Sequence, residues 1–324
     1  MQGWLQMVPT AYLRSRMDNN NRQNNEALLG IGLALLAVVI WSGNFVVARG
    51  VIHQIPPGSL AFYRWFTATV VLFPFAIREV RREWKQVRPA LGYLFWTALA
   101  GITLFNTFVY IGAHYTSAIN LALIGTTSSP VMAILLARIF LKEKLDSFKL
   151  WGLALCLSGV LFLLSHGDLN HLLHFRFTTG DGWILLAAFS FAVYNILVRR
   201  KPTGLSAITF LFMLFFIGTL LLVPFLSWDL VHGQTVAWNG SLLAIILYLG
   251  IGTSVISFLC WNKALSVLGA GRTALFGNLI PVFSSLEAAV FLQEQFTSLH
   301  VWSMLIIFAG IILANWLLLK TSFR

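Results

Sequence analysis

The residues able to do chemistry in this chain are mostly uncharged, and they lie inside apolar stretches. Thr103, Asn106, Tyr110 and His114 follow one another at spacings of three or four, so on a helix they share one face. Ser254, Ser257 and Trp261 repeat the first three of those positions 151 residues later. Trp41 with Asn44, Tyr194 with Asn195, Asn120 with Thr127, and Asn278 add further amide, hydroxyl and aromatic groups. Such groups hydrogen-bond the two ends of a zwitterion and stack on an apolar side chain, which makes them the candidate contacts for a small solute. The competing use is structural, because Ser, Thr and Asn in membrane helices also bond neighbouring helices or their own backbone.

Two charges sit deeper. Arg64 and Glu287 each stand about six residues inside an apolar stretch, roughly 9 Å at about 1.5 Å per residue, measured from the same side. A charge in lipid is costly and is usually paired or functional, so the two are a candidate ion pair, with independent snorkelling as the alternative. Other chemistries lack their patterns. Ser128 or Ser129 with His114 would be needed for an intramembrane hydrolase, but no GxSxG or HExxH motif accompanies them, and we expect no enzyme. Cys156 and Cys260 are isolated, and the His171 and His174 pair lies in a connection, so neither metal nor cofactor is expected.

The elements that must position these residues follow from composition. Of 324 residues, 58% are hydrophobic and 10% charged, too apolar for a soluble fold to bury. A spanning helix needs about 20 apolar residues. Ten such stretches are read, at about 29–50, 58–78, 91–112, 116–140, 149–165, 181–200, 205–226, 240–261, 271–293 and 300–319. The net charge of +11 resembles a nucleic-acid footprint until its distribution is inspected. Nineteen of the 22 Lys and Arg fall in the tails and the even-numbered connections, including Arg78 to Arg88 in the second. The positive-inside rule then places both termini in the cytoplasm of a multi-pass inner-membrane protein that binds lipid and no nucleic acid. Oligomeric state is not encoded here, and a monomer suffices.

Matched residues at one offset divide the chain in two. Asn44 and Asn195, Gly101 and Gly252, Pro130 and Pro281, Glu143 and Glu294, Trp151 and Trp302, and Gly159 and Gly310 are each 151 apart. The division is a tail over 1–28, a first repeat over 29–165, a linker over 166–180, a second repeat over 181–320 and a tail over 321–324. Five spans per repeat is an odd number, so the second half enters from the opposite side. The expected fold is an all-α membrane protein with a 5+5 inverted repeat, an arrangement many secondary transporters use for alternating access. Pro130 and Pro281 sit near mid-span as matched hinge candidates. Glu143 and Glu294 precede the fifth and tenth spans, where capping or pairing with nearby basic residues is expected.

The repeated pattern of Pro130, Lys142, Glu143, Lys144, Trp151 and Gly159, mirrored by Pro281, Gln293, Glu294, Gln295, Trp302 and Gly310, resembles the EamA-type members of the drug/metabolite transporter superfamily. That resemblance implies a basket of helices around a central cavity and export of neutral, including aromatic, amino acids. Lipophilic cations such as methyl viologen are the alternative cargo. Four-helix relatives carry a proton-coupling Glu in their first span, whereas Leu29 to Gly50 holds no acid. A phosphate-bearing cargo would call for several central Lys or Arg, which the spans lack.

Overall fold

A long apolar chain in lipid must satisfy its backbone polar groups internally, and a helix does so within one segment. Every regular element among the described residues is accordingly helical in the computed structural model. The described residues are 25–43, 54–115, 118–143, 146–165, 178–232, 235–292 and 297–316. In chain order they form α1 (Asn25–Gly43), α2 (Pro57–Arg82), α3 (Trp84–Ala98), α4 (Phe105–Tyr115), α5 (Ala118–Phe140), α6 (Ser147–Leu164) and α7 (Thr179–Arg199). There follow α8 (Ala207–Val231), α9 (Gly240–Leu247), α10 (Ser257–Leu268), α11 (Ala270–Leu275), α12 (Ile280–Leu292) and α13 (Ser298–Ala314). Two π-helical stretches, Leu99–Leu104 and Tyr248–Ile256, join α3 to α4 and α9 to α10, and a 3₁₀ turn, Phe276–Leu279, joins α11 to α12. Among the described residues six continuous helical runs are long and apolar enough to cross a bilayer: α1, α2, Trp84–Val109, α7, α8 and Gly240–Leu268. Shorter apolar helices occur within α5, α6 and α13.

The expected second loop is helical. α2 continues to Arg82 and α3 starts at Trp84, leaving Glu83 alone between them. Arg and Lys favour helix, and their long stems keep the charge in water while the backbone continues. The hydropathy window ends where apolar residues end, but the helix need not.

α2 and α8 pack along their lengths in opposite directions, and each end of the pair is closed by an acid from one helix on the start of the other. Glu83, just past the end of α2, accepts the backbone N–H of Ser206 at 2.9 Å, and Ser206 is the N-cap of α8. At the other end Asp229, in the last turn of α8, accepts the Ser59 backbone N–H at 2.6 Å and the Ser59 hydroxyl at 3.0 Å. A carboxylate at a helix start satisfies free N–H groups and meets the positive end of the dipole. Burial pushes the Glu83 carboxyl up, but hydrogen bonds from the Ser206 N–H and the Thr209 and Ser206 hydroxyls, with the charge of Arg82, outweigh it and hold the group below its ordinary value. Lys201 beside it is lowered by burial, partly offset by the charge of Glu83. Midway, the Thr69 and Thr219 hydroxyls meet at 3.1 Å, and each also donates to the carbonyl four residues back.

α6 and α13 approach through small residues. A Cβ on Gly152 would lie 2.6 Å from the Gly310 carbonyl oxygen, and one on Gly310 would lie 2.7 Å from that of Gly152. Cys156 Sγ donates to the carbonyl of Ile307 at 3.6 Å, a residue 151 positions away. Trp151 and Trp302 are exposed and join Phe75 and Val231 in an apolar outer surface suited to lipid. Glu143 accepts the Ala270 N–H at 3.1 Å at the start of α11, and its other oxygen faces Lys149 at 3.5 Å. Capping and pairing thus occur in one residue; Glu294 lies outside the described residues.

Candidate functional site

The two π-helical stretches fall in corresponding places, 151 residues being the separation of Gly101 in the first from Gly252 in the second. A π turn widens the helix by one residue and leaves backbone carbonyls poorly satisfied, and such turns concentrate at functional sites. In the second stretch side chains take up that capacity. Ser254 and Ser257 hydroxyls donate to the carbonyls five residues back, Leu249 and Gly252, at 2.9 and 3.0 Å. The Thr253 carbonyl accepts the indole N–H of Trp41 at 2.8 Å, which ties α1 to this turn.

Beside the turn, α1, α7 and α10 bring four of the candidate residues together. Trp41 lies 5.0 Å from Trp261, ring centre to ring centre, with Phe191 and Phe258 edge-on at 6.0 and 5.6 Å. Trp261 donates its indole N–H to Asn195 Oδ1 at 3.0 Å, and Tyr194 donates its hydroxyl to Asn262 Oδ1 at 2.8 Å. Consecutive residues on α7 are therefore cross-linked to consecutive residues on α10. The amide nitrogens of Asn195 and Asn262 are buried and have no acceptor among the described residues. For Asn195 the orientation is chemically fixed, because an indole N–H only donates and must face the amide oxygen. The Tyr194 ring fills the space over Gly101, where a Cβ would lie 2.6 Å from the ring Cγ. The group combines flat apolar faces with buried amide donors that need an acceptor, as a carboxylate or carbonyl is.

A second polar group lies where α1 ends. Tyr248 Oη donates to the Ile40 carbonyl at 2.7 Å, and Glu287 Oε2 comes beside Gly43, where a Cβ would lie 3.2 Å from it. That carboxylate oxygen is buried with no hydrogen-bond partner among the described residues. Among the described residues no ion pair joins it to Arg64. Arg64 Nε donates instead to Ser254 Oγ at 2.9 Å, and its guanidinium lies 5.0 Å over the Trp65 ring.

The remaining candidates divide. Asn106 is buried and donates to the Ile102 carbonyl, its own helix's backbone, while Thr103 Oγ1 is buried without a partner among the described residues. Asn278, in the 3₁₀ turn, donates to the Leu275 carbonyl at 3.0 Å, and its Oδ1 has no donor among the described residues. Pro130 lies inside the continuous α5, whereas Pro281 is the second residue of α12, directly after the 3₁₀ turn, so the two matched prolines occupy different local geometries. Asn44 and the side chains of Tyr110, His114, Asn120 and Thr127 lie outside the described residues. No group of three His, Cys, Asp or Glu among the described residues could hold a metal ion.

Asn262 and Tyr248 were not candidates from sequence. Asn262 falls five residues after Ser257, off any stripe drawn at three or four; both lie on α10, where Asn262 stands next to Trp261 and meets Tyr194 on α7. Two polar residues five apart beside a glycine-rich stretch are the only signal that pointed there.

The profile of the EamA-like transporter family matches residues 28–165 and again 178–316. A protein of Escherichia coli (strain K12) described as "probable amino-acid metabolite efflux pump" is 27% identical over 289 residues, 86% of this chain and 92% of that protein. A "probable terminal-alkyne amino-acid exporter" of Streptantibioticus cattleyicolor is 28% identical over 87% of this chain and 91% of its own length. A transporter of Archaeoglobus fulgidus without an assigned substrate is 28% identical over 81% of this chain and 89% of its own. One crystal structure, 18% identical, superposes with a TM-score of 0.72 over 91% of this chain and 98% of that one, which shows a shared fold.

Proposed function

The chain belongs to the EamA-like transporter family, a membrane transporter and not an enzyme, and from that premise we propose that it exports neutral, including aromatic, amino acids across the bacterial inner membrane by alternating access. The architecture in this reading is ten spanning helices in two halves, 29–165 and 181–320, inserted in opposite directions around a central cavity with both termini cytoplasmic. Support comes from the double family match, the paired π turns, and contacts such as Cys156 to Ile307 that join positions 151 apart. Glu83, Glu143, Arg199, Arg200, Lys201 and Arg272 gather at the end of the bundle where α2 and α7 finish, as the positive-inside rule requires of the cytoplasmic side. The names of the relatives point to amino-acid cargo.

The observation that carries the reading is the group of Trp41, Tyr194, Asn195 and Trp261. Its aromatic faces receive an apolar side chain, and the undonated amides of Asn195 and Asn262 bond the carboxylate. Thr103, Asn106, Tyr110, His114, Asn120, Thr127, Ser254, Ser257 and Asn278 complete the lining in this reading. The test is uptake of labelled Phe, Thr, Met and methyl viologen into proteoliposomes, with and without a pH gradient. Amino-acid flux independent of the gradient is expected; no flux of any amino acid would overturn the proposal. Methyl viologen stays in the assay because Glu287 is an acid of the kind a cation carrier needs.

A further inference from the structure

One short segment of the bundle is jointed at both ends. α11 starts directly after Gly269, whose φ of +87° lies where glycine is at ease and other residues are strained, and it runs into the 3₁₀ turn Phe276–Leu279, with Pro281 just beyond. Between these joints Ala270, Gly271 and Ala274 are small and buried. A Cβ on Gly271 would lie 3.2 Å from Ile134 Cγ1 on α5, and Ala274 packs with Ala133 on α5 and Ala192 on α7. Small residues let helix backbones approach this closely.

What fastens the start of α11 comes from the connection between α5 and α6. Past Phe140 the Leu141 and Glu143 N–H groups both donate to the Ala137 carbonyl, at 3.0 and 3.2 Å, and Lys142 between them takes a left-handed φ of +54°. A lysine adopts that conformation at a cost, and the turn it makes carries the Glu143 carboxylate to α11. Glu143 Oε1 accepts the Ala270 N–H, and a Cβ at position 269 would lie 2.9 Å from the same oxygen, so one glycine serves both the joint and the bond. Asp146 adds a second attachment: its Oδ2 lies 3.5 Å from Arg272 Nη2, while its Oδ1 accepts the Lys149 N–H at 2.8 Å. Arg272 Nε also donates to the Ala314 carbonyl at 3.3 Å. Glu143 and Asp146 belong to 28–165, and Ala270 and Arg272 to 178–316, so these bonds cross between the two matched segments. α2 and α8, by contrast, pack along their lengths and are tied at both ends.

We propose that Glu143 is the latch of a cytoplasmic gate: its bond to Ala270 holds α11 against α5 while that side is closed, and the bond parts as α11 swings on its two joints to admit cargo. Asp146 and Arg272 form the second point of attachment. Polar bonds suit this use at a solvent-facing end, because water takes over both partners when they separate and the net cost of opening stays small. The cytoplasmic side and the need to open rest on the export reading above; the fastening of α11 by Glu143 does not.

The first readout is backbone hydrogen exchange, followed by mass spectrometry on wild type, Glu143→Gln and Glu143→Ala in the same micelles. Glu143→Ala is expected to speed exchange across 270–279 at least about tenfold, the scale of one charge-assisted hydrogen bond, with 57–82 and 207–231 staying within about twofold of wild type. Glu143→Gln keeps an acceptor for Ala270 without the charge and should fall between. Equal exchange in wild type and Glu143→Ala, or an equal acceleration in every helix, would overturn the latch. The second readout is flux in proteoliposomes. Glu143→Cys combined with Gly271→Cys is bridged by a short bismethanethiosulfonate and released by dithiothreitol, with each single variant and the wild type, whose Cys156 and Cys260 are buried, treated alike. Bridging should stop amino-acid flux and the reductant should restore it, a reversible loss that a cap serving only stability would not give. Undiminished flux through the bridged protein would overturn the gate. Wild type without amino-acid flux, but with exchange at 270–279 that depends on Glu143, would sink the export reading and leave the latch standing.

Discussion

Replacing Asn195 by alanine removes the acceptor that holds the Trp261 indole, and the cost follows from where the two residues lie. Asn195 is fully buried and Trp261 is 1% exposed, so water cannot take over the indole N–H. A buried donor left without a partner costs about 1–3 kcal/mol. Trp261→Phe makes the converse defect, leaving Asn195 Oδ1 without its donor, and adds a loss of packing against Trp41. Neither single variant isolates the bond, but the double variant does, because the second change costs less once the partner is gone. Interhelical hydrogen bonds in membrane proteins couple by about 0.6 kcal/mol on average and about 1.7 at most, which is roughly a 3- to 20-fold effect on the folding equilibrium. The assay is a double-mutant cycle on unfolding in mixed micelles, with transport measured on the same four proteins. We expect coupling in that range and transport falling further than stability in every variant lacking Asn195. Additivity within about 0.3 kcal/mol would mean that the bond is not formed in solution, and the case for a built site between α7 and α10 would go with it.

The capped ends of α2 and α8 predict an acid-labile fold. Glu83 is held below its ordinary value, so it contributes stability that is fully present above the unfolded-state value, about pH 4.3, and is lost as pH falls through the folded value. Glu83→Gln should cost about 1 kcal/mol near neutrality and flatten that acid limb of the unfolding midpoint in detergent, whereas an unchanged limb would assign the lability elsewhere. The prolines predict a split between folding and transport: Pro130→Ala and Pro281→Ala should lower transport more than abundance. Normal transport at normal abundance would leave both as fixed packing features.

How much of this was legible in the sequence is best seen at the matched glycines. An all-helical multi-pass chain followed from hydropathy, and the residues paired at one offset fall in the two segments, 28–165 and 178–316, that the family profile matches separately. The register itself is less uniform than those pairs suggest. Thr69 to Phe75 and Thr219 to Phe225 match at 150, not 151, and the contact of Thr69 with Thr219 makes the slip visible. Neither π stretch was foreseen, because no residue type encodes a helix one residue too wide; the widening reflects tertiary packing against α2, α7 and α8. Asn262 stands beside the stripe of Ser254, Ser257 and Trp261, and only its contact with Tyr194 on α7 reveals it. Glycine was readable at both 101 and 252 as a repeat signature, but its physical reason is not the same in the two halves. At Gly101 a Cβ would meet the buried Tyr194 ring, so Gly101→Ala should cost about 1–3 kcal/mol even though alanine is the better helix former. At Gly252 the nearest atoms are 3.4 and 3.5 Å away, on Tyr248 and Ile40, ordinary contact, so Gly252→Ala should be neutral or stabilise by up to about 1 kcal/mol. Equal costs at the two positions, measured by unfolding in the same micelles, would mean that the halves pack alike. The symmetry would then extend from the sequence to the side chains.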